Sequence, residues 1–161
     1  MQDTIRRLER SKAYLLKEFT YQAIFQRDKN DPIPRSVLEH PEIKVFYEDF
    51  GKPDDLCLAL VVDERIVGAV WTRVLSGDVK GFGNVDGITP EFAISIFLEY
   101  RGIGFGTKMM ENMLSLLRDK GYAKTSLAVQ KDNYAVKMYG KVGFHIVRET
   151  DQEYIMVCNL S

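Results

Sequence analysis

The sequence predicts an α/β (α+β) fold: a mixed, mostly antiparallel sheet with helices on both faces. Three observations carry this. The chain begins with a helix-period pattern, "SKAYLLKEFTYQAIFQ" at 11–26; its middle turns to β in "LCLALVV" and "IVGAVWTRVL"; and its second half alternates strand, helix, strand, helix and hairpin. At 161 residues it forms one domain, 1–161.

The first helix places Leu15, Phe19 and Ala23 on one face, with Leu16 and Ile24 beside them and Ser11 as its cap. The prolines of "RDKNDPIPR" end it, and "SVLEHPEIKVFYEDFG" carries one or two short helical turns. "LCLALVV" (56–62), the turn "DER" and "IVGAVWTRVL" (66–75) read as an antiparallel hairpin. The glycine-rich "SGDVKGFGNVDGITPE" that follows is a long loop, a class that is often functional in compact domains. "FAISIFL" (92–98) is almost wholly apolar and belongs at the centre of the sheet. A helix from Gly104 to Lys120 buries Met109, Met113 and Leu116 or Leu117 and stops at Gly121. Because it crosses between them, "KTSLAVQ" (124–130) runs parallel to "FAISIFL". Asn133 caps a short helix to Lys141, Gly143 supplies its left-handed end, and "FHIVRETDQEYIMVCNL" closes the chain as a hairpin.

Composition narrows the function. The 22 Lys and Arg are interleaved with 23 Asp and Glu for a net charge of −1, so no basic face offers itself to nucleic acid. The longest apolar run is too short to cross a membrane, and the charged start lacks the apolar stretch of a signal peptide; the expectation is a soluble, cytoplasmic protein without a membrane partner. Two distant cysteines, Cys57 and Cys158, make neither a metal spacing nor a disulfide framework, so no metal is expected.

The chemistry concentrates at "EYRGIGFGTKMM", where a strand runs into a helix through three glycines. A helix N-terminus presents about four unpartnered N–H groups and the positive end of its dipole, a natural seat for phosphate. Gly102, Gly104 and Gly106 keep side chains away from such an anion, Arg101 adds charge, and Thr107 sits in the first turn. A nucleotide P-loop needs GxxxxGK followed by Ser or Thr, and a dinucleotide site needs a third glycine where Met109 stands; neither pattern fits.

Arg101-Gly102-Ile103-Gly104-Phe105-Gly106 resembles the Arg/Gln-x-x-Gly-x-Gly/Ala signature of the GNAT superfamily of acyl-CoA-dependent N-acyltransferases. "LAVQKDNYAVKMYGKVGF" is similar to that family's second motif, with Asn133, Ala135, Tyr139, Gly143 and Phe144 in place. The resemblance is strong over 92–148. It implies a sheet split between the two central parallel strands, with the pantetheine arm of acetyl-CoA (coenzyme A) in the split. Backbone from Ile96 through Phe97 to Leu98 meets the arm's amides as an added strand would, Leu98 standing where many relatives have proline. Arg101 to Thr107, Phe105 included, would hold the phosphates, and Asn133 and Tyr139 the arm.

The implied reaction is acetyl transfer to a primary amine of a small molecule, an amino acid, or a peptide or protein N-terminus, by direct attack in a ternary complex. Tyr139 matches the family's general acid. A strand N–H near Ile96 to Leu98 would donate to the thioester oxygen. For the base the sequence offers Glu91, Asp86, Glu99 or water, with Glu91 preferred because strand ends are held rigidly. The acids Glu48, Asp49, Asp54 and Asp55 could draw in a cation. The resemblance allows a homodimer, and the rival function is a sensor that binds acyl-CoA without turnover.

Overall fold

The computed structural model describes all 161 residues. Its sheet has seven strands: β1 (Asp3–Arg7), β2 (Leu56–Val62), β3 (Arg65–Arg73), β4 (Glu91–Ile96), β5 (Lys124–Gln130), β6 (Phe144–Glu149) and β7 (Glu153–Asn159), in the order β1-β2-β3-β4-β5-β7-β6. Only the β4–β5 pair is parallel. Four helices, α1 (Leu16–Ala23), α2 (Pro41–Lys44), α3 (Phe105–Asp119) and α4 (Ala135–Val142), cover it.

Alternation along the strands divides the core. Leu58, Leu60, Val70, Phe92 and Ile96 face α3, whose Met109, Met110, Met113 and Leu117 complete the larger cluster. Ala69 and Trp71 face the other way, onto Leu16 and Phe19 of α1. The β2–β3 hairpin closes through Asp63 and Glu64, both at positive φ, a turn whose twist suits the strands. No helix is long and apolar enough to cross a membrane.

Two sequence expectations are corrected. The N-terminal segment begins with a strand, β1, because Asp3–Arg7 pairs with the edge of β2. Helix α1 starts at Leu16, not after Ser11: Arg10–Leu15 is wound as a 3₁₀ turn, Ser11 lies inside it, and Ala23 is exposed. The remaining helices and strands form where the pattern places them, although β4 stops at Ile96 and Leu98–Tyr100 turns as 3₁₀.

Candidate active site

The two central strands share a single bridge, Glu91 with Ser126; beyond it they carry no further pairing and the sheet splits. The register fixes which groups line the split. Phe97 gives its N–H to Val67 of β3, so odd-numbered residues of β4 turn their backbone to β3, while Phe92, Ile94 and Ile96 turn theirs toward β5. Of the groups expected to serve an incoming ligand, Ile96 therefore faces the split, Phe97 N–H is engaged elsewhere, and Leu98 lies outside the strand and is exposed. Ile94 joins Ile96 in the split; the sequence reading missed it because alternation of backbone groups depends on register, not residue type.

At the open end the chain turns into α3. Gly102 and Gly104 adopt positive φ, +78° and +94°, and a Cβ at either would meet nothing. The first helical bond runs from Lys108 N–H to Gly104 O at 3.3 Å. The N–H groups of Phe105, Gly106 and Thr107 thus precede the ladder, and no side chain caps them. Gly106 is bare for a second reason: a Cβ there would sit 3.1 Å from Met138 Sδ of α4. The neighbouring cations are committed, Lys108 Nζ to Asp3 at 2.8 Å and Arg101 to Ile96 O at 2.7 Å and Gln22 O at 3.2 Å. Leu98, Ile103 and Tyr134 expose apolar surface on the two loops that follow β4 and β5.

At the closed end Glu91 is 2% exposed. Its Oε2 accepts from Gly81 N–H at 3.2 Å and Asn84 Nδ2 at 3.0 Å, while Oε1 has no partner. Burial pushes its pKa up against these amides, the Gly83 N–H and the charge of Lys80. Across the bridge Ser126 Oγ is also buried and unpartnered. The glycine-rich loop packs over both strands: a Cβ at Gly83 would lie 2.6 Å from the Leu127 carbonyl carbon, and one at Gly81 would strike Glu91 and Phe46.

The other acids sit in different surroundings. Asp86 accepts from the N–H groups of Ile88 and Thr89 and faces Lys124; hydrogen bonding with Thr89, above all, lowers its pKa. Glu99 is exposed on the 3₁₀ turn. Asp55 is no cation attractor: it is buried against Arg73, with Nε–Oδ1 at 3.2 Å, and Arg73 also donates to the carbonyls of Val45, Glu48 and Asp49. Asp54 accepts from the Tyr122 hydroxyl.

On the far side of the split, Asn133 Oδ1 accepts from Ala135 N–H at 2.9 Å at the start of α4. Tyr139, half-buried on α4, packs edge-on to Phe144 at 5.9 Å, and its hydroxyl makes no hydrogen bond within the chain. Burial, aided by Tyr134, pushes its pKa up to about 12. Around the split stand the uncapped N-terminus of α3, backbone of β4 that the ladder leaves unpaired, a buried acid at the closed end and, on α4, a protonated phenol. These fit a pantetheine-bearing cofactor: Gly102 and Gly104 leave the cradle open, and the slot offers strand-like partners to its amides.

Residues 21–144 match the model of the Acetyltransferase (GNAT) family. The chain is 31% identical over 108 residues to mycothiol acetyltransferase of Saccharomonospora viridis, covering 66% of this chain and 35% of that protein. It therefore spans about a third of the length of this curated relative. The fold is that of PaiA N-acetyltransferase from Thermoplasma acidophilum in complex with coenzyme A, with a TM-score of 0.70, 16% identity and coverage of 99% of both chains. It is shared with the ribosomal-protein-S18-alanine N-acetyltransferase of Escherichia coli, with a TM-score of 0.68, 17% identity and coverage of 99% and 95%.

Proposed function

The chain belongs to the GNAT family of acetyltransferases, and from its geometry we propose that it transfers the acetyl group of acetyl-CoA to a primary amine within a ternary complex. The observation that carries this is the split itself: β4 and β5 part after one bridge, with the open end at the α3 cradle and the closed end at Glu91. N-acetylation of alanine and spermidine in the names of structural neighbours supports an amine acceptor.

When bound, acetyl-CoA supplies the activated acyl group. The N–H groups ahead of the α3 ladder hold its phosphates, and Ile94 together with the Ile96 N–H offers backbone partners to the arm, the Ile96 carbonyl being taken by Arg101. An N–H of that strand stabilises charge developing on the acyl oxygen. An alkylamine is only about a thousandth neutral at pH 7, so a proton acceptor is required. Glu91 is the acceptor we assign: its raised pKa brings it nearer the working range and Oε1 carries no hydrogen bond, but the carboxylate is enclosed under the glycine-rich loop, so the proton reaches it through a water or after that loop shifts. Tyr139 gives its proton to the departing sulfur.

The experiment is a panel of amines incubated with acetyl-CoA and scored by release of free thiol. Acceptor-dependent release is expected for at least one amine. Tight acetyl-CoA binding with no acceptor-dependent release across the panel would replace the enzyme reading with a binding module.

A further inference from the structure

Two arginines tie one short segment to both sides of the split. The segment is Gln22–Arg27, from the last turn of α1 into the loop beyond it. On the β4 side, Arg101 donates from Nε to Ile96 O at 2.7 Å and from a terminal nitrogen to Gln22 O at 3.2 Å. Ser95 Oγ adds a bond to Phe19 O at 2.6 Å. On the β5 side, Arg27 grips Asp132 with both arms of its guanidinium, at 2.7 and 2.9 Å, and reaches Gln130 Oε1 at 2.6 Å. Gln130 is the last residue of β5 and Asp132 lies in the loop to α4. The segment is braced from behind, since Ile33 N–H donates to Gln26 Oε1 at 2.9 Å and the Tyr21 hydroxyl to Ile33 O.

We propose that Gln22–Arg27 is a strap across the α1 face of the split, with Arg27 and Arg101 as positioning residues that fix the separation of β4 and β5 where the pantetheine arm lies. This rests on the functional reading above, which places the arm in the split. It gives Arg101 a role different from that of a phosphate ligand: both donor nitrogens that close the strap are spent on main-chain carbonyls. It also gives Arg27 and Asp132 a role, although neither stands in a glycine motif. An exposed ion pair ordinarily contributes little to stability. Here the fork geometry specifies position, and the sheet supplies no ladder bonds at this level to do so.

The test combines calorimetry of coenzyme A and of pantetheine, which lacks the phosphates, with hydrogen exchange of the free protein. Arg27→Gln and Asp132→Asn should each weaken both ligands by the same factor, about three- to fivefold, and speed exchange over residues 92–98 and 128–134. The charge-reversed pair Arg27→Asp with Asp132→Arg should restore both ligands to within about twofold of wild type, the Gln130 amide turning its NH₂ to the introduced carboxylate. Arg101→Gln should also weaken both ligands equally. Near-UV circular dichroism confirms that each variant is folded. Wild-type affinity and exchange in Arg27→Gln and Asp132→Asn would overturn the strap. So would an Arg101→Gln variant that loses coenzyme A but keeps pantetheine, which would make Arg101 a phosphate ligand. A wild-type protein that binds neither ligand overturns the functional reading beneath it, a result separable from the other two.

Discussion

Burial pushes the Tyr139 pKa up to about 12, so the phenol carries the proton that the proposed function asks of it throughout the range in which the reaction can be assayed. Tyr139→Phe retains the ring on Phe144 and should preserve fold and cofactor affinity while lowering turnover by about 10² to 10⁴. No alkaline limb from this phenol should appear in the wild-type pH profile below about pH 11. Wild-type turnover in the variant, with chemistry shown to be rate-limiting, would assign the proton to water. Glu91, the base of the proposed function, concerns the other end of the pH scale. As a base it works ionised, and its pKa is raised, so kcat/KM should climb through a limb above the ordinary carboxylate range. Glu91→Gln should abolish that limb and lower the rate by about 10² to 10⁴. Stability should respond oppositely. A raised carboxyl pKa means that the folded protein holds this proton more tightly than the unfolded chain, so ionising it costs stability in full above the folded pKa and nothing below the unfolded one. Thermal melts should find Glu91→Gln at least as stable as wild type at pH 7, the difference vanishing below about pH 4. Loss of stability at neutral pH would mean that the ionised carboxylate is a structural anchor for the glycine-rich loop.

The β4–α3 junction is the element to which the proposed function assigns the phosphates. Gly104 sits at φ +94° with open space beyond its Cα, so Gly104→Val acts through the backbone, which valine cannot hold in that conformation without strain. Calorimetry should show coenzyme A weakened about 10- to 100-fold, the worth of one charge-assisted hydrogen bond, and pantetheine almost unchanged. Equal losses would move the phosphates off this helix. The junction was legible in the sequence because its information is local: glycines, a helix start, an arginine. So were β5 and β7, whose apolar residues are largely buried; β6 formed where the pattern placed it, yet of its apolar residues only Phe144 is buried, Ile146 and Val147 standing exposed on the edge strand. Strand β1 was not, since "DTIRR" is an exposed edge with Ile5 as its one partly buried residue, and its partner lies some sixty residues on. The roof over Glu91 was equally hidden. Only the fold brings Gly81, Gly83 and Asn84 onto that carboxylate, and only the register sets Ser126 beside it. Arg73 read as one charge in a strand, yet it is 4% exposed and anchors residues 45–55 through Asp55 and three carbonyls.

At the scale of the molecule, one departure from regular pairing organises the rest. A seven-stranded sheet that continued its ladder between β4 and β5 would close the slot, satisfy the N–H groups of Ile94 and Ile96, and leave the α3 terminus facing solvent alone. Instead the strands part after Glu91–Ser126, α3 starts at the open end, the β5–α4 loop and α4 place Asn133 and Tyr139 on the β5 side, and α1 covers the opposite face. The proposed function requires acetyl-CoA to lie along this split from cradle to acid. A crystal structure with coenzyme A tests it most directly. The pyrophosphate should accept hydrogen bonds from the N–H groups at Phe105–Thr107, and the arm should run between Ile94–Ile96 and Ala128 with its sulfur toward Tyr139. Coenzyme A bound elsewhere, or an arm lying outside a β4–β5 pair zipped beyond its one bridge, would contradict it.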